Sequence, residues 1–218
     1  MIEDPRIQAY IESLGTGHGE FLDELEQACI KDNIPIIRPS MQSLLKVLIG
    51  IKAPGSILEV GTATGFSATL MASVSPAGCR ITTIEKYEKR IPIARENIAK
   101  SGYADRIDLI CGDAADVLKD LVSEGCKYDM VFMDAAKGQY LNFLEDSISL
   151  LNEGGILISD NVLQDGDIVQ SRFAVTRRNR TIHSRMREYL YALTHDDRLD
   201  TTVLPVGDGV TVSVKKGF

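Results

Sequence analysis

No run of apolar residues in this 218-residue chain approaches the roughly 20 needed to cross a bilayer as a helix, so a membrane-spanning helix is not its organising element. The four cysteines, Cys29, Cys79, Cys111 and Cys126, form no C-x-x-C pair. Neither a thiolate metal site nor a disulfide framework is expected, and the four read as reduced thiols of a cytoplasmic protein. Glu3, Asp4, Glu12, Glu20 and Asp23 break up the stretch where a secretory leader would need an apolar segment, so no signal peptide is expected. Internal repeats and low-complexity segments are also missing. Positive charge is in deficit, with 24 Lys and Arg against 31 Asp and Glu, a formal net charge of -7. That argues against non-specific nucleic-acid binding by the surface at large, while leaving room for a local basic patch.

What is present is an alternation. With 44% hydrophobic and 25% charged residues, the chain is long enough for one domain with a sizeable core. Short apolar runs, "SILEVG" (56–61), "CRITTIE" (79–85), "IDLICGD" (107–113), "YDMVFMD" (128–134) and "GILISD" (155–160), alternate with helical patterns near 66–75, 87–101, 114–123 and 138–151. Successive βα units of this kind predict an α/β fold with a parallel sheet. "TTVLPV" and "VTVSVKK" flank "GDG" (207–209) and predict a closing hairpin, with Pro205 at an edge or an irregular strand end. Residues 1–50 read as extra helices (7–14, 20–33 and 41–52) capping a core of residues 51–218, the whole forming a single domain.

Ligands of open α/β sheets bind outside the carboxyl ends of the strands. There the sequence places Gly61, Glu85, Asp113, Asp134 and Asp160, the last followed by Asn161. An isolated acid at a strand end is commonly a helix cap; five strands each ending in a glycine or an acid suggest a site. The first turn, "EVGTATGFS", lacks the second glycine of G-x-G-x-x-G, Ala63 standing in its place. No Gly-Lys-Ser/Thr follows, so a P-loop is excluded. A tight turn without a phosphate cradle suits a nucleoside ligand without phosphate, such as S-adenosylmethionine. Glu85 is placed to accept hydrogen bonds from ribose hydroxyls, and Asp113 to meet the adenine edge.

Asp134, Asp160 and Asn161 offer two carboxylates and an amide oxygen. These are hard ligands suited to Mg²⁺ or Ca²⁺, leaving about three positions of an octahedron for water and substrate. Lys137 follows Asp134 by one short turn. A lysine near a cation is biased towards its neutral form, so it is a candidate proton acceptor from a metal-held hydroxyl. The alternative is a surface lysine on a loop.

Residues 168–187 contain no acid and six arginines, Arg172, Arg177, Arg178, Arg180, Arg185 and Arg187, a local reversal of sign. Arginine clusters bind phosphates bidentately; the competing reading is a solvated helix face.

Together, "ILEVGTATGFSA", "IE" at 84–85, "GDA" at 112–114, "YDMVFMDAAKGQY" and "ISDNVL" resemble the class I S-adenosylmethionine-dependent O-methyltransferases of the catechol and caffeoyl-coenzyme A type. The resemblance runs from about residue 30 to the C-terminus. It implies a Rossmann-like seven-stranded sheet, mostly parallel with an antiparallel last strand, helices on both faces, and a homodimer. It also implies donor contacts at Gly61, Thr62, Ser67, Glu85, Asp113, Ala114 and Asp134, Mg²⁺ on Asp134, Asp160 and Asn161, and Lys137 as the base. Plant-type members tend to carry "DADK" where this chain has "DAAK", with Ala136 replacing the second acid. "IPI" at 34–36, "DAAKGQYLNF", "DNVL", the arginine-rich stretch and "PVGDGVTVSVKK" are more similar to the bacterial branch that methylates the 5-hydroxyl of 5-hydroxyuridine at the tRNA wobble position. That likeness adds Ile37 to the donor contacts. It also makes Arg172, Arg177, Arg178, Arg180 and Arg185 candidates for holding an anticodon loop. A small catechol-like phenol remains the alternative acceptor, because catechol and 5-hydroxyuridine each present two adjacent oxygens to one metal. A non-catalytic nucleoside- or RNA-binding module is a further alternative.

Overall fold

Residues 4–171 and 173–217 are described in a computed structural model. Seven strands form one sheet in the order β3-β2-β1-β4-β5-β7-β6. The strands are β1 (Ser56–Val60), β2 (Arg80–Glu85), β3 (Ile107–Cys111), β4 (Tyr128–Met133), β5 (Leu151–Ser159), β6 (Leu199–Leu204) and β7 (Val210–Lys215). β1 to β5 pair in parallel, and β7 runs antiparallel to both β5 and β6. The expected Rossmann-like sheet with a reversed last strand is thus the sheet observed. Among the described residues no helix is long and apolar enough to cross a membrane.

Strand periodicity explains the layering. Side chains alternate across a sheet, and in the central strands both sets are apolar, as a sheet covered on both faces requires. Ile57, Met130, Phe132, Ile156 and Ile158 join one core, under α2 (Glu20–Lys31), α3 (Pro39–Lys52) and α4 (Phe66–Val74). Leu58, Val60, Val131, Met133 and Leu157 join the other, under α6 (Ala114–Ser123), α7 (Tyr140–Leu150) and α8 (Arg180–Thr194). The remaining helices are α1 (Pro5–Ser13) and α5 (Ile91–Lys100). Residues 5–52 are largely helical, as expected.

Three boundaries depart from expectation. α5 starts at Ile91, because residues 86–90 form a turn and Pro92 is acceptable only in a first helical turn. β5 starts at Leu151 rather than at residue 155, its register against β4 shifting between Tyr128 and Met130; Gly154 and Gly155 disguise this strand in the sequence. Asp113 lies beyond the end of β3 and caps α6, its side chain accepting from the Ala115 N–H at 2.9 Å.

Candidate active site

A cavity of about 750 Å³ opens at the carboxyl ends of β1, β2, β4 and β5, a size typical of small-molecule sites. Gly61, Glu85, Asp113, Ala114, Asp134, Lys137, Asp160, Asn161 and Ile37 all line it. Residues far apart in the chain are therefore brought together much as the strand-end reading expected.

Gly61 has φ +106°, and a Cβ there would collide with the backbone carbonyl of Asp134. The glycine thus serves close approach of the β1 and β4 ends as much as ligand access. Glu85 is held by three backbone donors, Ala63 N–H at 2.8 Å, Lys86 N–H at 2.9 Å and Tyr87 N–H at 2.7 Å. This fixes its carboxylate at the cavity wall, with lone pairs to spare for hydroxyl donors. Asp113 pairs with Lys86 at 3.1 Å. The Ala115 N–H and Lys86 hold its carboxyl below the usual range.

Thr62 and Ser67 do not line the cavity. The Thr62 hydroxyl lies 2.6 Å from that of Thr83, and the hydroxyls of Ser67 and Thr83 both donate to Glu59. Glu59 is fully buried beneath the glycine turn, and burial pushes its carboxyl up to about 7 from an ordinary 4.5. A carboxyl raised on folding contributes stability that is full below its unfolded pKa and lost as pH rises through the folded value. Stability from this group therefore falls across the window from 4.5 to about 7. Glu59→Gln is expected to remove that slope, so its melting temperature should gain on the wild type between about pH 5 and about pH 8. A difference between the two proteins that does not vary with pH in calorimetry would contradict this.

Asp134 and Asp160 follow β4 and β5 directly. Burial pushes their carboxyls up, Asp134 to about 6 and Asp160 to about 7, with the neighbouring Asp134 as the second cause at Asp160. Among the described residues no salt bridge reaches either one. Asn161 adopts φ +63°, a left-handed conformation that asparagine tolerates, which turns the chain directly after Asp160. Two under-compensated carboxylates beside an amide oxygen fit a hard divalent cation. Imidazole and thiolate have no part, and no group of three His, Cys, Asp or Glu suited to a metal occurs among the described residues.

Several contributors escaped the sequence reading. Tyr140 is fully buried, its hydroxyl 3.2 Å from the Met133 carbonyl and 3.0 Å from the Asp160 carbonyl. It ties the ends of β4 and β5 together, so the two acids are held as one unit. Arg38 and Asp208 also line the cavity. Asp208 lies 3.2 Å from Arg38 and 3.6 Å from Lys137.

The basic stretch divides. Residues 164–169 form short 3-10 turns broken by a kink at Asp165 and Gly166, and the α-helix of this stretch begins at Arg180. Arg180 donates to the Val175 and Phe173 carbonyls, both at 3.3 Å, and stacks over Phe173. Arg187 donates to the Ile168 carbonyl at 3.2 Å. Arg185 donates to the Gly138 carbonyl at 3.0 Å, within the turn that carries Lys137. Arg180 and Arg185, expected to hold RNA, thus serve at least partly to fasten the segment. Arg177 and Arg178 are exposed, and Arg172 lies outside the described residues.

The sheet order reverses between β1 and β4, and a cavity at that switch, outside the carboxyl ends of the strands, defines the ligand-binding class of doubly wound α/β folds. Comparison with known proteins narrows the class. The O-methyltransferase family profile matches residues 12–216. Caffeoyl-CoA O-methyltransferase 1 of Eucalyptus globulus is 32% identical over 202 residues, covering 88% of this chain and 80% of that protein. Catechol O-methyltransferase of Mycobacterium tuberculosis is 31% identical over 167 residues, covering 76% and 75%. The solved O-methyltransferase of Bacillus cereus in complex with SAH superposes with a TM-score of 0.85 at 26% identity, covering 97% of each chain. The chain belongs to this O-methyltransferase family and is an S-adenosylmethionine-dependent O-methyltransferase.

Proposed function

We propose that the acceptor is the 5-hydroxyl of 5-hydroxyuridine at the wobble position of tRNA, giving 5-methoxyuridine. The observation that carries this reading is the 3.0 Å contact of Arg185 with Gly138. It fastens the acid-free, arginine-rich stretch beside the turn of Lys137, with Arg177 and Arg178 exposed. Phosphates of an anticodon loop would meet these guanidiniums, while an unpaired base reaches the cavity. When bound, S-adenosylmethionine supplies the methyl group, and a divalent cation on Asp134, Asp160 and Asn161 favours ionisation of the acceptor hydroxyl. Glu85 would orient the donor ribose and Asp113 and Ala114 would border the adenine, with Ile37 and Gly61 lining the same cavity. Lys137 takes the hydroxyl proton. The exposed apolar side chains of Ile7, Tyr10 and Ile11 on α1 and of Leu14 just after it suit a homodimer, and a tRNA substrate suits the cytoplasm.

A small catechol-like phenol is the second reading, favoured by the kinship with a protein named for catechol. A methyl-transfer assay separates the two. Purified protein, labelled donor and Mg²⁺ are offered bulk tRNA from cells lacking the protein, or catechol, each with a chelator control. Label in tRNA at the wobble uridine is expected; strong label in catechol with none in tRNA overturns the tRNA reading. Charge reversal at Arg177 and Arg178 should raise KM for tRNA on the order of tenfold through lost phosphate contacts, with donor affinity unchanged. Equal loss of donor binding would point to misfolding instead.

A further inference from the structure

We propose that Asp208 is a positioning residue for Lys137, holding its amine at the reacting oxygen and facing the charge it acquires. This rests on the reading of Lys137 as the proton acceptor.

Asp208 belongs to the loop 205–209 between β6 and β7, where a hairpin needs only a turn. The loop is instead docked over the site. The Leu163 N–H donates to the Asp208 carbonyl and the Val162 N–H to the Gly209 carbonyl, both at 2.9 Å. The Asp165 N–H donates to the Asp208 Oδ1 at 3.0 Å. Gly209 has φ +85°, and a Cβ there would collide with the Leu163 side chain, so the loop is seated as closely as backbone allows. The outcome is an Asp208 side chain only 10% exposed. Burying it is unfavourable unless cations compensate; Arg38 at 3.2 Å and Lys137 at 3.6 Å face it, while the side chain of Asp165 also bonds to it and opposes them.

Arg38 also reaches Asp165 at 3.0 Å. Lys137 has Asp208 as its sole salt-bridge partner among the described residues. At 3.6 Å the contact is longer than a hydrogen bond, so the amine is held near Asp208 without committing an N–H to it, and once it has released its proton to solvent its lone pair is free to meet a hydroxyl. In the transfer, the acceptor O–H breaks and its proton forms a new N–H bond on the Lys137 Nζ. The oxygen keeps the electron pair and bonds the methyl carbon as the C–S bond breaks, its electrons returning to sulfur. The ammonium so formed faces the Asp208 carboxylate. A third group that orients a base and faces its protonated form is a recurring device of active sites.

Asp208→Asn keeps the size and an acceptor oxygen for the Asp165 N–H but removes the charge; Asp208→Ser is made alongside as a smaller replacement. Both are assayed with Mg²⁺, labelled donor and either bulk tRNA or catechol, in the wild-type and Lys137→Ala backgrounds, with donor affinity and melting temperature measured. The expected loss in kcat is on the order of 100-fold, as for a misplaced reacting group. KM should stay within about threefold, and in the Lys137→Ala background the further loss should be under about threefold, as for residues acting as one unit. Wild-type kcat in either folded variant overturns the inference. So does a change in KM alone, or a loss that multiplies with that of Lys137→Ala. A fully active Lys137→Ala overturns the base reading itself. An inactive Lys137→Ala beside a fully active Asp208→Asn overturns only the role of Asp208.

Discussion

Lys137→Ala is expected to lower kcat by about 10²–10⁴-fold, the usual contribution of a positioned proton acceptor, while leaving donor affinity and fold intact. The separation follows from where the residue sits. Its side chain is 33% exposed and contributes a single ion pair, so little core packing is lost with it. The turn 137–139 that carries it is held by other bonds, the Gln139 N–H to the Ala136 carbonyl at 2.8 Å and Arg185 to the Gly138 carbonyl. Rapid-quench turnover with saturating donor, beside calorimetric donor binding, reads the two effects separately. Unchanged turnover would return Lys137 to the status of a surface lysine.

Asp160→Asn carries the second large effect, with opposite signs in activity and stability. Asp160 is 2% exposed, and burial beside Asp134 already pushes its carboxyl up to about 7. Replacing it with asparagine keeps an acceptor for the Asn161 N–H, now 2.7 Å away, but removes a charge whose burial is costly. The metal-free variant should melt no lower than the metal-free wild type. A divalent cation at 100 times its dissociation constant stabilises its host by about 2.7 kcal/mol, or roughly 5–10 °C for a chain of this size. That gain should appear in the wild type on adding Mg²⁺ and shrink in the variant, with methyl transfer at sub-saturating Mg²⁺ falling on the order of 100-fold or more. Equal Mg²⁺-induced shifts in both proteins would remove Asp160 from the metal site.

The donor side of the cavity was legible in the sequence because it is built from consecutive βα units. β1 and β4 are buried on both faces, and their apolar runs stop within one residue of the observed ends. Gly61, Asp134 and Asp160 directly follow β1, β4 and β5, and Glu85 is the last residue of β2. Asp113 illustrates how one residue satisfies two readings, since it caps α6 and still borders the cavity. Ser67 and Thr62 show the limit of motif matching. Thr62 lies in the turn after β1 and Ser67 in the first turn of α4, yet their hydroxyls serve the buried Glu59 and Thr83. Arg38 and Asp208 were illegible for a different reason. One precedes a helix and the other sits in a "GDG" that any hairpin would use. Only the three-dimensional docking of that hairpin over residues 162–165 joins them to Lys137.

The sheet order divides the labour of the site between stretches of chain. Most of the walls proposed for the donor come from residues 61–114, on strands to one side of β4, with Ile37 and Asp134 added from outside that range. The groups proposed to face the acceptor come from residues 134–139, 160–161 and 207–208 and from Arg38, all of them at the cavity. Tyr140 clamps the two acids independently of anything on the donor side. Such an arrangement lets inheritance revise one half at a time. Substitutions in the hairpin loop, in residues 164–180 or at the start of α3 can exchange one hydroxyl-bearing molecule for another while the methyl-donating half is passed on unaltered.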